Sequence, residues 1–145
     1  MGAAANLAPH AFRAIVADVP FVDPLSSILD PSLPLTVMEW EEWGNPLENP
    51  DVYARMKSYS PYENVAAAAY PAILAMTSLH DTRVLFHEPA KWVAKLRATT
   101  TGDRPILLKT QMRAGHGGRS GRYDAWREEA FVLAWILDQV GRVHR

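Results

Sequence analysis

The sequence predicts an α/β domain with a mainly parallel sheet. Three short apolar runs, at residues 14–19, 72–77 and 105–110, have the length and boundaries of buried strands. A helix pattern with Pro89 in its first turn follows the second run, and a longer one at 123–140 follows the third. Strands that alternate with helices are typical of βαβ units, so we expect neighbouring parallel strands.

The composition supports a folded domain and excludes several chemistries. The 145 residues are 48% hydrophobic and 21% charged, which is enough to build a core. The absence of cysteine excludes disulfides, thiolate metal sites and a cysteine nucleophile. A net charge of −1 gives no reason to expect nucleic acid or a membrane as a partner. No apolar run approaches the ~20 residues of a membrane span, and the start lacks an export signal, so we expect a cytoplasmic protein.

The charge is distributed unevenly along the chain. Residues 1–63 sum to −6, and residues 64–145 sum to +5. One interpretation is two ordinary solvated faces. The other is that the acidic half, with the cluster at 39–43, meets a cationic ligand. Both interpretations stay open at this stage.

The regions between the strands are less regular. Residues 1–8 are rich in alanine but lack an N-cap, which is typical of the last part of a helix. Residues 20–50 hold six of the eleven prolines, so they form no long regular element, and Trp40 and Trp43 are expected to anchor this excursion. Further short elements are expected at 51–57 (a helix), 58–62 (a turn) and 64–69 (a helical turn).

Two titratable side chains follow the predicted second and third strands. Asp81 comes just after one strand, and His116 lies in the glycine-rich loop after the next. In an open parallel sheet such residues meet at the carboxyl edge, and an acid followed by a histidine is the chain order of an α/β-hydrolase triad. In such a triad the histidine takes a proton from a hydroxyl, and the carboxylate orients its ring. The alternative is an ordinary histidine in a surface loop.

A nucleophile for this pair is not evident in the sequence. The motif Gly-x-Ser-x-Gly has only a near match at 118–121, where Ser120 follows the histidine instead of preceding the acid. His80, Asp81 and His87 lack the helical spacing of metal-binding histidines, so we expect neither a metal site nor a cofactor.

Several blocks together resemble one family of enzymes. The segments at 38–46, 53–65, 80–84, 88–97 and 114–122, read in this order, are similar to oligopeptidase B within the prolyl oligopeptidase family of serine peptidases. The resemblance runs from about residue 1 to residue 141. It implies the C-terminal portion of an α/β-hydrolase catalytic domain.

The resemblance also implies roles for individual residues. Asp81 is the expected triad acid and His116 the triad base, while Glu39 and Glu41 match positions that hold the substrate's basic side chain. Relatives cleave short peptides after arginine or lysine. Carboxylates two positions apart on a strand-like or turn segment would face one way and pair with a guanidinium. A structural ion pair with Arg55 or Lys57 is the alternative.

The resemblance further implies what these residues lack. Relatives carry the serine in a Gly-x-Ser-x-Gly-Gly elbow upstream of the matched blocks, and an N-terminal β-propeller. We therefore expect residues 1–145 to be a partial catalytic domain without peptidase turnover of its own. A non-catalytic peptide-binding remnant is one alternative. A split peptidase completed by an N-terminal chain is another, and self-association of the fragment is a third.

Overall fold

Three parallel strands form the centre of the structure, a computed structural model that describes residues 1–141. The strands are β1 (Ala14–Asp18), β2 (Ala72–Ser78) and β3 (Ile106–Gln111), in the spatial order β1-β2-β3. In the register Ile15 lies beside Ile73, which lies beside Ile106. The predicted strands and their parallel arrangement are confirmed.

Helices occupy both faces of the sheet and the long excursion after β1. They are α1 (Gly2–Leu7), α2 (Pro24–Ile28), α3 (Thr36–Trp43), α4 (Pro50–Tyr59), α5 (His87–Thr99) and α6 (Arg122–Gln139), with a 3₁₀ turn at Pro9–Ala11. The helical turn predicted at 64–69 is wrong, because this stretch has no helical residue beyond a turn ending at Asn64. No helix within residues 1–141 combines the length and apolar character needed to cross a membrane.

One face of the sheet is closed by α1 and α5. Trp92, Val93 and Leu96 of α5 are almost completely buried there. Helix α1 is held by Asn6, whose side chain donates to the Pro61 carbonyl at 2.8 Å. The buried residues of this core are Ala5, Ile15, Ala17, Val22, Val65, Tyr70, Ile73, Ala75, Trp92, Val93, Leu96 and Ile106.

The other face of the sheet carries α6 alone. Trp135 is the one buried residue of this helix, and it packs on Ala72 and Leu74 of β2. Large apolar side chains on the rest of the helix are exposed: Tyr123, Trp126, Phe131, Leu133, Leu137. The coverage of this face is therefore partial within the described residues.

Helices α2 to α4 form a small core of their own in the excursion between β1 and β2. Leu25, Ile28, Val52 and Met56 are its buried members. The indole N–H of Trp40 donates to the Ile28 carbonyl at 3.0 Å, which ties α3 to α2. The prolines exclude a long helix here, but they permit these short ones at their first turns.

The chain turns sharply where it leaves β1. Val19 has a φ of +41°, a conformation that is costly for a β-branched residue. Its N–H still donates to the Met76 carbonyl at 2.9 Å, so the ladder to β2 extends up to the bend. Residues 20–23 then run away from the sheet edge toward the start of α5, where Asp23 accepts a hydrogen bond from Lys91.

Candidate active site

An acid and a histidine meet at the carboxyl edge of the sheet. Asp81 lies three residues after β2, and His116 lies five residues after β3. His116 Nδ1 is 2.9 Å from one carboxylate oxygen of Asp81 and 3.1 Å from the other. The structure thus brings together two residues that are 35 positions apart.

Asp81 is held rigidly as an ionised acceptor. Its side chain is fully buried, and one oxygen accepts hydrogen bonds from the backbone N–H groups of Arg83 at 2.8 Å and Val84 at 3.0 Å. Burial alone would raise the pKa of Asp81, but these N–H groups and His116 outweigh it and hold the pKa below its ordinary value. The carboxylate therefore stays charged and fixed in direction.

His116 lies at the mouth of an open cavity. Its side chain is one-third exposed, and the loop that carries it folds back through a bridge between Gly115 and Gly118. Gly118 has a φ of +74°, which a residue with a side chain rarely adopts. The cavity measures about 440 Å³ and extends past Asp18 at the end of β1.

This pair can carry out general acid–base chemistry. The carboxylate accepts a hydrogen bond from the Nδ1–H of His116, which leaves Nε2 free to take a proton from a hydroxyl. Thr77 and Ser78 line the same cavity, but among residues 1–141 no hydroxyl hydrogen bonds to His116. Ser120 is exposed in the loop. The described residues thus supply an acid and a base without a bonded nucleophile.

A second cavity lies beside the acid. It measures about 190 Å³, smaller than the roughly 300 Å³ at which drug-sized ligand pockets begin, so its size suits a single side chain. Residues 82–85, which follow Asp81 directly, line one part of it. Glu39 lines another part, and Phe21 and Leu35 are among its apolar walls. The cavity therefore lies next to the loop that follows Asp81.

The segment that carries Glu39 and Glu41 is helical, so the expectation of a strand-like or turn conformation is wrong. In α3 residues two apart lie about 200° apart around the axis and do not face one way. Glu39 is half-buried and reaches the cavity, whereas Glu41 is exposed and does not line it. Burial and the neighbouring Glu42 raise the pKa of Glu39. The ion pairs of the described residues include none between these glutamates and Arg55 or Lys57.

Two buried acids near this cavity were missed by the sequence analysis. Glu88, in the first turn of α5, is 1% exposed and lines the cavity, and Asp23 is fully buried next to it. Burial raises the pKa of Glu88 despite hydrogen bonds from Ser27 and the Asp23 N–H. The available signal was weak, because an acid in a helix's first turn is usually a solvent-exposed partner of the helix dipole.

Metal ligands do not cluster within residues 1–141. No group of three or more His, Asp or Glu side chains there has the arrangement that would hold a metal ion. His80 and His87, which bracket the Asp81 loop, are both exposed.

Comparison with known proteins places this geometry in a family. Residues 1–143 match the model of the prolyl oligopeptidase family. The chain belongs to the prolyl oligopeptidase family. Its members are serine peptidases with an α/β-hydrolase catalytic domain, and the parallel sheet with flanking helices agrees with that fold.

Individual members of the prolyl oligopeptidase family are similar over almost the whole chain. Protease 2 of Moraxella lacunata is 50% identical over 97% of this chain, and dipeptidyl aminopeptidase BI of Pseudoxanthomonas mexicana is 49% identical over 97%. Oligopeptidase B from Leishmania major superposes with a TM-score of 0.96 at 46% identity over 100% of the chain. Oligopeptidase B from Trypanosoma brucei, with covalently bound antipain, superposes with a TM-score of 0.93 at 44% identity over 97% of the chain.

The matched region is a small part of each relative. The chain spans 19% of the Pseudoxanthomonas protein and 20% of the Moraxella protein, and 20% of each oligopeptidase B structure. The matched fifth contains the acid–histidine pair and both cavities.

Proposed function

We propose that residues 1–145 form the acid–base and specificity part of a serine-peptidase active site that cleaves short peptides after arginine or lysine. The hydrogen bond between Asp81 and His116 carries the proposal. It has the geometry that a triad requires, with a buried carboxylate on Nδ1 and an open cavity lined by the same histidine. Membership of a serine-peptidase family supplies the reaction class.

In this proposal the nucleophilic serine is supplied from outside residues 1–145. A serine on the same polypeptide upstream, or on a second chain, would reach His116 through the cavity of about 440 Å³ beside it. Strand β1 pairs only with β2 in the described sheet, so its other edge offers N–H and C=O groups to a further strand. A polypeptide of residues 1–145 alone forms no acyl-enzyme, so it has no peptidase turnover.

The substrate's basic side chain enters the smaller cavity. Glu39 lines this cavity and supplies a carboxylate, and the apolar walls suit the methylene stem of arginine or lysine. Glu41 is exposed on the same helix and adds attraction at longer range. The excess of acidic residues in the first 63 positions supports a cationic substrate.

A chimera tests this function. In Protease 2 of Moraxella lacunata, the segment matched by this chain is replaced with residues 1–145, and hydrolysis of benzoyl-arginyl p-nitroanilide is measured. We expect turnover by the chimera and none by the 145-residue chain. Changing His116→Ala in the chimera is expected to lower kcat by about 10⁴-fold or more, because the hydroxyl loses its base.

The control is His80→Ala, which removes an exposed histidine next to the acid. It is expected to change kcat by less than about threefold. A folded chimera that binds the substrate but does not cleave it would favour a non-catalytic peptide-binding role. A rate that survives His116→Ala would contradict the proposal.

A further inference from the structure

We propose that Glu88 is the second carboxylate, with Glu39, that receives the basic side chain in the smaller cavity. The inference rests on the proposed function and deepens it. It assigns a specificity-determining role to a residue that family resemblance did not single out. It also gives Glu41 the smaller contribution.

The position of Glu88 is the first observation. Glu39 of α3 and Glu88 of α5 line the same cavity of about 190 Å³ from separate helices. Glu41, two positions along α3 from Glu39, is exposed and lines no part of it. A guanidinium inside the cavity would therefore meet Glu39 and Glu88 and would lie away from Glu41.

The charge balance of the buried acids is the second observation. Asp23, Asp81 and Glu88 are the buried acids among residues 1–141. Lys91 pairs with Asp23 and His116 pairs with Asp81, whereas Glu88 has no basic group within ion-pair distance in that part of the chain. A buried carboxylate without a counter-charge is costly, and a cationic side chain in the cavity would supply the missing charge.

One base also lines the cavity. Arg83 is exposed and is outside the ion pairs of the described residues, so it does not neutralise Glu88. With Arg83, Glu39 and Glu88 ionised, the cavity carries a net charge of −1.

Hydrogen bonds hold the Glu88 carboxylate in place but do not use all of its acceptor positions. Ser27 Oγ donates to Oε1 at 2.6 Å, and the Asp23 N–H donates to Oε2 at 3.0 Å. The Val22 N–H also donates to this carboxylate, so three of its four acceptor positions are used and one remains for a donor of the ligand. The side chain is thereby preorganised, and little conformational entropy is lost when a ligand binds.

The smaller cavity also lies close to the acid of the proposed triad. Residues 82–85 line it and follow Asp81 directly, so a side chain bound between Glu39 and Glu88 lies one loop away from the acid of the triad. Binding there would place the adjoining peptide bond near the cavity of His116. The specificity carboxylates and the acid–base pair would then act on neighbouring parts of one substrate.

The test compares two substrates in the Moraxella chimera. Benzoyl-arginyl p-nitroanilide is matched with its citrulline counterpart, which has nearly the same shape but no charge. With Glu88→Gln we expect kcat/KM to fall about 10- to 100-fold for arginine and less than about threefold for citrulline, since only the arginine complex loses an ion pair. Glu41→Gln is expected to lower the arginine value less than about fivefold.

A control separates charge from local structure. Ser27→Ala removes a hydrogen bond that fixes Glu88 but keeps its charge, so the preference for arginine over citrulline should fall by less than it does with Glu88→Gln. An arginine preference that is unchanged by Glu88→Gln, or that falls further with Glu41→Gln, would overturn the role of Glu88 alone. A chimera that cleaves peptides without preferring arginine would instead overturn the proposed cationic substrate, and the role of Glu88 with it.

A second measurement covers the case in which Glu88→Gln abolishes cleavage of both substrates. The 145-residue chain, labelled with ¹³C, is titrated with benzoyl-arginine amide, and the carboxyl resonance of Glu88 is followed by NMR. We expect this resonance to shift along with that of Glu39. If the Glu39 resonance shifts and that of Glu88 does not, the proposal is wrong.

Discussion

The two faces of the sheet are covered very differently. On the α5 face, Trp92 and Leu96 are fully buried, and α1 adds a second layer of contact. On the α6 face a longer helix buries only Trp135, and Trp126 is 60% exposed. The α5 face therefore has the packing of a finished core, while the α6 face retains an apolar surface of the kind that usually contacts another element.

This difference matters for the active site because the two catalytic candidates lead to different faces. The loop of Asp81 leads into α5, and the loop of His116 leads into α6. The acid and the smaller cavity beside its loop are thus supported by the well-packed face, and the base by the partly covered one. The hydrogen bond between Asp81 and His116 joins the two.

The largest expected contrast is between two tryptophans. Trp92→Ala should lower the free energy of unfolding by about 3–5 kcal/mol, because it opens a cavity in the α5 face. Trp126→Ala should change it by less than about 0.5 kcal/mol, because that side chain is mostly in solvent. Urea denaturation of the 145-residue chain measures both. Equal losses would contradict the described difference between the faces.

A smaller contrast is expected between two cations. Lys91→Met leaves the buried Asp23 carboxylate without its partner, which should cost about 1–3 kcal/mol. Arg127→Met breaks an exposed pair with Asp124 on α6 and should cost less than about 0.5 kcal/mol. The same denaturation experiment reports both values. If the Arg127 variant were the less stable of the two, the assignment of strong packing to the α5 face would be wrong.

The smallest effect concerns pH, and it has opposite signs for two acids of the α5 side. Asp81 has a lowered pKa when folded, so its contribution to stability is present above about pH 3.9 and is lost as the pH falls through the folded pKa. Glu88 has a raised pKa, so stability is lost as the pH rises from about 4.3 through the folded pKa.

Unfolding measured from pH 3 to pH 8 tests this difference. The stability of Glu88→Gln relative to the unmodified chain should increase with pH across that window. The loss caused by Asp81→Asn should be constant near neutrality and shrink below about pH 4. A pH-independent difference for Glu88→Gln would show that its pKa is not raised.

The elements that could be predicted from the sequence are those whose formation depends on residues close together in the chain. Strands β1 to β3 and helix α6 lie within about two residues of their predicted positions, since apolar runs and prolines mark them. Helices α2 and α3 were not predicted individually, because their support is tertiary: Thr36 donates to the Ser27 carbonyl at 2.7 Å, and Trp40 to that of Ile28.

The same distinction holds for the site. The meeting of Asp81 and His116 follows from the rule that the carboxyl ends of parallel strands share one edge. Glu39 and Glu41 point in different directions because their segment is a helix. The prolines on both sides of that segment made a helix difficult to predict from the sequence. The burial of Glu88 depends on the path of residues 20–28, which pack over the start of α5, and no local pattern encodes that path.

The central claim is that Asp81 and His116 act as one catalytic unit, and a double-mutant cycle in the chimera tests it most directly. The variants are Asp81→Asn, His116→Ala and the combination, with kcat measured on benzoyl-arginyl p-nitroanilide. Because the carboxylate acts only through the histidine, the double variant should be as slow as His116→Ala alone, within about threefold. Two losses that multiply would show that the residues act independently, and would contradict the account.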